Sequence, residues 1–298
     1  RAQLAKELEP GLNALFGLEF GRYENEHSEI YEEESSDRAF EEEVMLGGFA
    51  TAPVKSEGGA ISFDDAQETY TARYTHETIA LAFSITEEAI EDNLYDRLAS
   101  RYTKALARSM ATTKQIKAAS ILNNAFSTGA NVIGDGAALC SASHPSLSGT
   151  QTNLLAVAAD LNETSLEQML IDIAGFTDER GLKIAVRGTK LIIPKELQFI
   201  AERVMNSALR SGTSDNDNNA MKNMGMLPEG AVVNHYLTDT DAYFIKTDAP
   251  NGFKYFNRAA IKTAMEGDFD TGNMRFKARE RYSFGVSDWR CVFGTPGA

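Results

Sequence analysis

The chain has few of the residues that build metal centres and disulfide frameworks. Only two of its 298 residues are cysteines, and these, Cys140 and Cys291, lie far apart without a CxxC pair. The four histidines are scattered, and none falls in an HExxH or similar ligand pattern. The sequence therefore predicts no metal, no cofactor and no disulfide framework.

Long apolar runs and an excess of positive charge are also missing. No run approaches the ~20 apolar residues that span a bilayer, and the first residues lack the apolar block of a signal peptide. We therefore expect no membrane contact, and a processed or truncated start at Arg1. The net charge of −14 argues against a protein that grips nucleic acid, because phosphate affinity comes from clustered Lys and Arg.

What is present is enough apolar material for a core. The hydrophobic fraction is 43%, and the length suggests one large domain or two modest ones.

Acidic residues are concentrated early: from Glu24 to Glu43, "ENEHSEIYEEESSDRAFEEE" carries ten acids against one base, Arg38. Such blocks rarely pack against their own domain. Two interpretations stay open: a solvated or partly disordered arm, or an arm that orders against a basic surface of a neighbouring subunit.

A β-rich region begins at Val44. The stretch "VMLGGFATAPVKSEGGAISF" places two runs around the turn-forming "KSEGG" and predicts a long two-stranded excursion with its tip near Lys55 to Gly59. A hairpin of this kind is barely stable alone in water. We therefore expect it to lie on another structure.

One long helix is predicted from Thr86 to Phe126. The segment has no Gly or Pro, Thr86 supplies an N-cap, and apolar residues recur every four positions. About forty residues of helix span ~60 Å, which is too long for an ordinary compact domain. The alternative is a pair of shorter helices joined near Thr112 and Thr113.

The stretch "LCSASHPSL", residues 139–147, is the one cluster of nucleophile-type residues, and it lies in a Gly- and Ser-rich loop. No orienting acid lies close by in sequence, and the spacing of Cys140 and His144 matches no nucleophile signature. We therefore predict no catalytic residue and no enzyme. His144 precedes Pro145, which holds it extended, so we expect it to fix a turn.

The remaining chain alternates helix and strand. A second helix is predicted from Ser165 to Asp178, capped by Thr164 or Ser165 and ended by Gly181. Then "KLIIPKELQFIAERVMNSAL" predicts a buried strand and an amphipathic helix. After a polar loop, three short strands are predicted around "VVNHYLTD", "AYFIKTD" and "FKYFNR".

The last strand has the clearest pattern. In "MRFKARERYSF" apolar residues alternate with cations, so one face is apolar and the other carries a row formed by Arg275, Lys277, Arg279 and Arg281. The row is either a solvated face or a partner for carboxylates of this or a neighbouring subunit.

Taken in order, these parts resemble a major capsid protein of tailed bacteriophages, with the Hong Kong 97-type fold, closest to the Mu-like head-subunit family. The most specific matches are "ITEEAIEDN", "SHPSLSGTQTNLL", "KLIIPKEL", "YLTDTDAYFIKTD", "FKYFNR" and "YSFGVSDWR". The resemblance covers most of the chain and is weakest in the first forty residues.

The resemblance implies an α+β fold with four parts. These are an N-terminal arm (1–43), an extended β-hairpin loop (44–80), a peripheral domain (81–192 and 259–298) with a spine helix (86–126), and an axial domain (193–258) with its tip near Gly212 to Asn223. The chain would self-assemble into hexamers and pentamers of an icosahedral head, enclosing double-stranded DNA without binding it specifically. Decoration, portal and scaffolding proteins are candidate partners, and the virion, with the host cytoplasm during assembly, is the implied location.

Contacts between subunits are the functional sites that this resemblance implies. The candidates are charged residues of the acidic run, the loop tip and the last strand, namely Glu32, Glu33, Glu34, Glu41, Glu42, Glu43, Lys55, Glu57, Arg275, Lys277, Arg279 and Arg281. A covalent link through Lys55 has no motif to support it and is not predicted. An acidic inner wall that repels packaged phosphates fits the net charge. The alternatives are an encapsulin-type nanocompartment shell and a soluble hydrolase.

Overall fold

The chain combines helices and strands throughout. The computed structural model describes residues 2–91, 95–129, 133–209, 218–268 and 271–298. Its α-helices are Ala2–Phe20 (α1), Glu87–Glu91 (α2), Tyr95–Asn123 (α3), Glu163–Ala174 (α4), Gln198–Asn206 (α5) and Ala220–Met224 (α6). Its strands are Glu32–Ser35 (β1), Phe40–Gly47 (β2), Gln67–Thr75 (β3), Glu77–Ile85 (β4), His144–Ser146 (β5), Gly149–Gln151 (β6), Gly188–Ile193 (β7), Ala231–Val233 (β8), Tyr243–Thr247 (β9), Phe253–Gly267 (β10), Met274–Val286 (β11) and Val292–Thr295 (β12). No described helix is both long and apolar enough to cross a membrane.

The chain divides into two compact units. Unit 1 comprises Arg1–Glu41, Tyr74–Ala118 and Tyr255–Phe284, and unit 2 comprises Glu42–Arg73, Ala119–Lys254 and Gly285–Ala298. These bounds differ from those of the predicted peripheral and axial domains. The peripheral and axial domains stay a prediction, and the closing strand β12 pairs with β9 within unit 2.

Unit 1 is a sheet covered by helices. Its strands run in the order β1-β10-β11-β4, and β11 pairs antiparallel with β4 from Met274 opposite Ile85 to Tyr282 opposite Glu77. Apolar residues of α1 and α3 pack against β4 and β11 in one core, formed by Leu12, Phe16, Ile85, Ala99, Leu106, Ala107, Met110, Phe276 and Ala278. This burial holds the long helix on the sheet.

The acidic run does not form a solvated arm. It contains a 3₁₀ turn at Glu26–Glu29 and the strand β1, which hydrogen-bonds to β10 in the sheet of unit 1. Ile30 and Tyr31 are buried, and the Tyr31 hydroxyl donates to the Ala118 carbonyl at 2.8 Å. The two apolar residues inside the run outweigh the charge repulsion, because the glutamates of β1 can point to solvent while Ile30 and Tyr31 enter the core.

The long helix has no break at its threonine pair. Helix α3 is continuous from Tyr95 to Asn123, and the Thr113 hydroxyl donates to the Ser109 carbonyl one turn earlier, at 2.8 Å. The alternative of two helices joined at that point is therefore wrong. A threonine in a helix interior can satisfy its own hydroxyl in this way without ending the helix. The predicted start at Thr86 gives the short α2, and residues 92–94 lie outside the described part of the chain.

Unit 2 is built around a second sheet, in the order β12-β9-β7-β8. Strands β7 and β8 are parallel, whereas β9 is antiparallel to both β7 and β12. The predicted second helix starts and ends earlier than expected: α4 is capped by Asn162, whose side chain accepts from the Ser165 N–H at 2.9 Å, and it ends at Gly175. Ser165 is the return half of this capping box rather than the cap.

The predicted excursion has strands only at its base. Strands β2 and β3 pair with each other, and the Thr69 hydroxyl donates to the Met45 carbonyl at 3.0 Å. Residues 48–66 between them contain no strand and turn at Gly58, where a φ of +75° favours glycine. We call residues 48–66 the excursion loop.

Two further expectations differ in detail. The third of the predicted short strands, around "FKYFNR", is longer than expected. It is the 15-residue β10, which lies between β1 and β11 in the sheet of unit 1. The predicted axial tip lies partly outside the described residues, which omit 210–217.

Candidate inter-subunit surfaces

The nucleophile-type cluster is a buried structural network within unit 2. His144 belongs to β5, which pairs with β6, so it does not fix a turn as expected. Its Nδ1 lies 2.7 Å from Asp135 Oδ2, and its Nε2 lies 3.0 Å from Asn153 Oδ1. The expectation that no acid orients His144 is therefore wrong, because Asp135, nine positions upstream, does so.

The hydrogen bonds give both nitrogens of the ring a partner. Asn153 Nδ2 donates to the carbonyls of Leu139, Trp289 and Val292, so its Oδ1 is the acceptor towards His144. Nε2 of His144 therefore donates to Asn153, and Nδ1 forms a second buried hydrogen bond with the Asp135 carboxyl group.

This network leaves no base for a nucleophile. Cys140 is buried, and burial raises the pKa of its thiol. A catalytic cysteine needs the opposite shift, towards the thiolate. Neither nitrogen of His144 is available to Cys140, since both face oxygen atoms of other residues. The described residues also contain no group of His, Cys, Asp and Glu side chains that could hold a metal ion.

The excursion loop is the most exposed apolar segment of the described chain. Val54 is 99% exposed and Phe63 is 97% exposed, and Phe49 and Ile61 are also exposed. Such large side chains cost free energy in water, and a contiguous set of them marks an interaction site. The candidates Lys55 and Glu57 lie at the tip of this loop and are exposed.

The loop is tied down only at its base. Asp64 accepts from the Ala50 N–H at 2.8 Å, and this bond lowers the pKa of its carboxyl. Arg180 donates to the Asp65 carbonyl at 2.8 Å. The tip is therefore presented to solvent while its two ends are held in unit 2.

The acidic candidates have several partners within the chain. Glu43 receives hydrogen bonds from the Lys254 ammonium and the Ser287 hydroxyl in unit 2. Glu42 pairs with Arg73 at 3.7 Å, also in unit 2. In unit 1, Glu41 accepts from the Ser36 hydroxyl at 2.7 Å and Glu33 accepts from Asn257 Nδ2 at 3.2 Å, while Glu32 is exposed and Glu34 is half-buried.

The cationic candidates lie as the alternation predicts. Arg275, Lys277 and Arg279 are exposed, and Arg281 is half-buried on the same face of β11. Their partners across β4 are Ser84, Ala82, Ala80 and Thr78, none of which carries a charge. Arg275 pairs with Asp268 at 2.5 Å. Strand β11 thus presents a row of cations on one face of the sheet of unit 1.

One buried charge on the opposite face was missed. Glu280 falls among the apolar positions of β11 and pairs with Lys114 of α3 at 2.7 Å. The Lys114 ammonium lies 5.2 to 5.8 Å from the ring centroids of Phe20, Tyr255 and Tyr282. Burial raises the pKa of Glu280, and Lys114 opposes that shift.

A second cationic surface was also missed. Arg101, Lys104 and Arg108 are exposed on α3, at the spacing that places them on one side of a helix. No ion pair or hydrogen bond joins any of these three side chains to the described residues. The spacing could have been recognised in the sequence. We call these three residues the helix stripe.

Comparison with known proteins gives a family and a fold. The family model described as "Phage capsid protein" matches residues 69–294, which is about three quarters of the chain. No curated protein matches the sequence.

Solved structures match over nearly the whole chain at low sequence identity. A virus-like particle from Pyrococcus furiosus has a TM-score of 0.54 at 10% identity, covering 95% of this chain and 97% of that one. The capsid of Myoviridae Phage XM1 has a TM-score of 0.52 at 10% identity, covering 90% and 89%. The capsid of the native GTA particle has a TM-score of 0.55 at 12% identity, covering 93% and 91%. At these identities the likeness is one of fold.

Proposed function

Since the chain belongs to the phage capsid protein family, we propose that it is the subunit that self-assembles into the head of a tailed double-stranded DNA bacteriophage. Hexamers and pentamers of the chain form an icosahedral shell of the Hong Kong 97 type, and we place the chain among the Mu-like head subunits. The chain is structural rather than enzymatic. It is located in the virion, and in the host cytoplasm during assembly.

The observation that carries this proposal is the excursion loop. A single chain leaves Val54 and Phe63 almost fully exposed, which a protein that works alone has no reason to retain. A second copy that covers the loop removes this apolar surface from water. In a closed shell each subunit both offers a loop and covers a neighbour's loop, so that modest contacts are repeated by symmetry.

Charge supports the same arrangement. The tip of the excursion loop carries Lys55 and Glu57, and the sheet of unit 1 presents Lys277 and Arg279 without carboxylates from β4. We assign the predicted contact residues of the last strand, and Glu32 of the acidic run, to contacts between subunits. Decoration, portal and scaffolding proteins complete the partner set, and the enclosed DNA is not bound by sequence.

Electron microscopy of the purified chain, with mass from light scattering, tests the proposal. Closed shells, capsomers, tubes or sheets are the expected result. A chain that stays a monomer or a small dimer, even with crowding or at low salt, would contradict it.

Substitutions in the loop sharpen the test. Val54→Ser with Phe63→Ser should abolish assembly while leaving the far-UV circular dichroism and the unfolding midpoint unchanged, because neither side chain contributes to the core. Val157→Ser is the matched control, since Val157 is 79% exposed outside the loop and its replacement should leave assembly intact. Normal assembly of the loop variant would remove the observation on which the proposal rests.

The second candidate is a nanocompartment shell of the encapsulin type, favoured by the fold likeness to the virus-like particle from Pyrococcus furiosus. A cargo enzyme encoded beside the gene, or found inside purified particles, would identify that function. The long acidic run before the excursion loop favours the phage head.

A further inference from the structure

The helix stripe is a row of cations that have no ion-pair or hydrogen-bond partner among the described residues, in a chain that is strongly acidic. Arg101, Lys104 and Arg108 follow one side of α3 over about 10 Å, at 1.5 Å rise per residue. Exposed cations within a Debye length of each other, about 8 Å at physiological salt, repel one another. A polyanion laid along the row would relieve that repulsion.

The rest of α3 explains why these three cations stand out. Residues 97–123 contain six cations and no acid. Two of the six are neutralised within unit 1, since Lys114 pairs with Glu280 at 2.7 Å and Lys117 pairs with Glu77 at 2.6 Å. The stripe lies further towards the helix start, where Tyr102 and Ala105 are the exposed residues between the cations. The helix thus presents three cations along one side, with one aromatic ring among them.

We propose that the helix stripe binds the phosphate backbone of the enclosed double-stranded DNA, without reading its sequence. This inference rests on the proposed function, and it replaces the expectation of a uniformly repelling inner wall. Duplex DNA carries one negative charge per ~1.7 Å of its axis, so three cations spread over about 10 Å always face several phosphates. Nonspecific affinity needs only this charge.

An acidic protein segment is the less favoured occupant. The most acidic segment of the chain is already engaged: Glu41, Glu42 and Glu43 all have partners within the chain, and β1 lies in the sheet of unit 1. Protein interfaces also carry apolar anchors between their charges. Among the described residues between the cations, the stripe offers one such anchor, Tyr102, which is 45% exposed, and the small Ala105.

Binding of a fluorescein-labelled 30-base-pair duplex to the full, unassembled chain tests the chemistry by anisotropy. Three neutralised phosphates give a slope of log K against log salt of about −2.7, so the affinity should fall roughly forty-fold between 50 and 200 mM salt. Replacing Arg101, Lys104 and Arg108 together with glutamine should abolish binding. Replacing both arginines with lysine should retain it, because backbone contacts depend on charge.

The matched control is the other cationic surface. Replacing Arg275, Lys277 and Arg279 with glutamine removes the same charge from β11, and DNA affinity should stay within two-fold of the original. Equal losses in both triple variants would show that net charge alone decides binding, and would overturn the proposal. Unchanged binding by the stripe variant, no binding by the original chain, or tighter binding of a synthetic peptide of residues 24–43 than of DNA, would overturn it as well.

Crosslinking in DNA-filled particles tests the location. Cys140 and Cys291 are buried, so a photoactivatable label should attach to Ala105→Cys on α3 or to Ala260→Cys on β10. The label at 105 should crosslink the packaged DNA, and the label at 260 should not. Filled particles without a crosslink at 105 would refute this inference and leave the proposed function intact. A chain that forms no particles would refute the proposed function instead, and the anisotropy result would still stand on its own.

Discussion

Replacing His144 with alanine tests the buried network of unit 2. The side chains of His144 and Asp135 are 0% and 1% exposed, so the variant leaves the Asp135 carboxyl group buried without its hydrogen-bond partner. Removing one partner of a buried pair costs ~3–5 kcal/mol. The ring also stacks on Trp289, with centroids 4.4 Å apart and planes 4° from parallel, and its loss opens a cavity there. We predict a loss of at least about 3 kcal/mol in the free energy of unfolding.

The chain supplies its own probe for this measurement. Trp289 is the only tryptophan and is fully buried, so its fluorescence follows the unfolding of unit 2 in urea. The double variant His144→Ala with Asp135→Ala removes both side chains of the pair. It should lose less than the sum of the two single variants, by ~0.5–3 kcal/mol, as expected for contacting residues. Ser143→Ala, an exposed neighbour, is the control and should stay within about 0.5 kcal/mol of the original.

A loss below about 1 kcal/mol for His144→Ala would refute the buried pairing of His144 with Asp135, because an ordinary hydrogen bond is worth no more than that. Strict additivity of the two substitutions would refute it equally. Either result would mean that the cluster 139–147 is held by packing alone.

Two further predictions concern stability. Gly134→Ala should cost ~1–3 kcal/mol, because an added Cβ would lie 2.6 Å from the Thr71 carbonyl carbon, whereas Gly129→Ala, with nothing within 4 Å, should be neutral by the same urea assay. Burial, and then Arg281, lower the pKa of His76 below 6.5. The imidazole of His76 therefore binds a proton more readily in the unfolded chain than in the folded one. The free energy of unfolding should not depend on this group above about pH 6.5, and it should fall as the pH drops below that value. His76→Gln should flatten that decline in a series of melting temperatures from pH 5 to 8, and an unchanged decline would place the titration elsewhere.

Regular patterns in the sequence predicted regular elements well. The alternation in β11 put Arg275, Lys277 and Arg279 on the exposed face, as observed. The absence of Gly and Pro predicted a long helix, and α3 is continuous past both threonines. Both patterns depend only on the local geometry of a strand or a helix, so they can be recognised from neighbouring residues in the sequence.

Contacts between distant segments were the ones that sequence reasoning missed. The fold brings Asp135, His144 and Asn153 into hydrogen-bond contact. The sequence of a loop has no periodic pattern from which such contacts can be predicted. The high charge of the acidic run predicted a solvated arm. Burial of Ile30 and Tyr31 instead holds the run against unit 1. Glu280 could have been found, since an acid at an inward position of an alternating strand calls for a buried cation, here Lys114.

Net charge was a poor guide to the local surfaces of this chain. A total of −14 suggests a protein that repels phosphate everywhere, yet residues 97–123 carry six cations and no acid. Fields decay over about 8 Å at physiological salt, so a phosphate at the exposed side of α3 is affected by that helix far more than by acids elsewhere in the chain. A shell subunit can thus be acidic as a whole, which favours solubility at high local concentration, and still present a cationic row to DNA. The two properties lie on different surfaces and need not oppose each other.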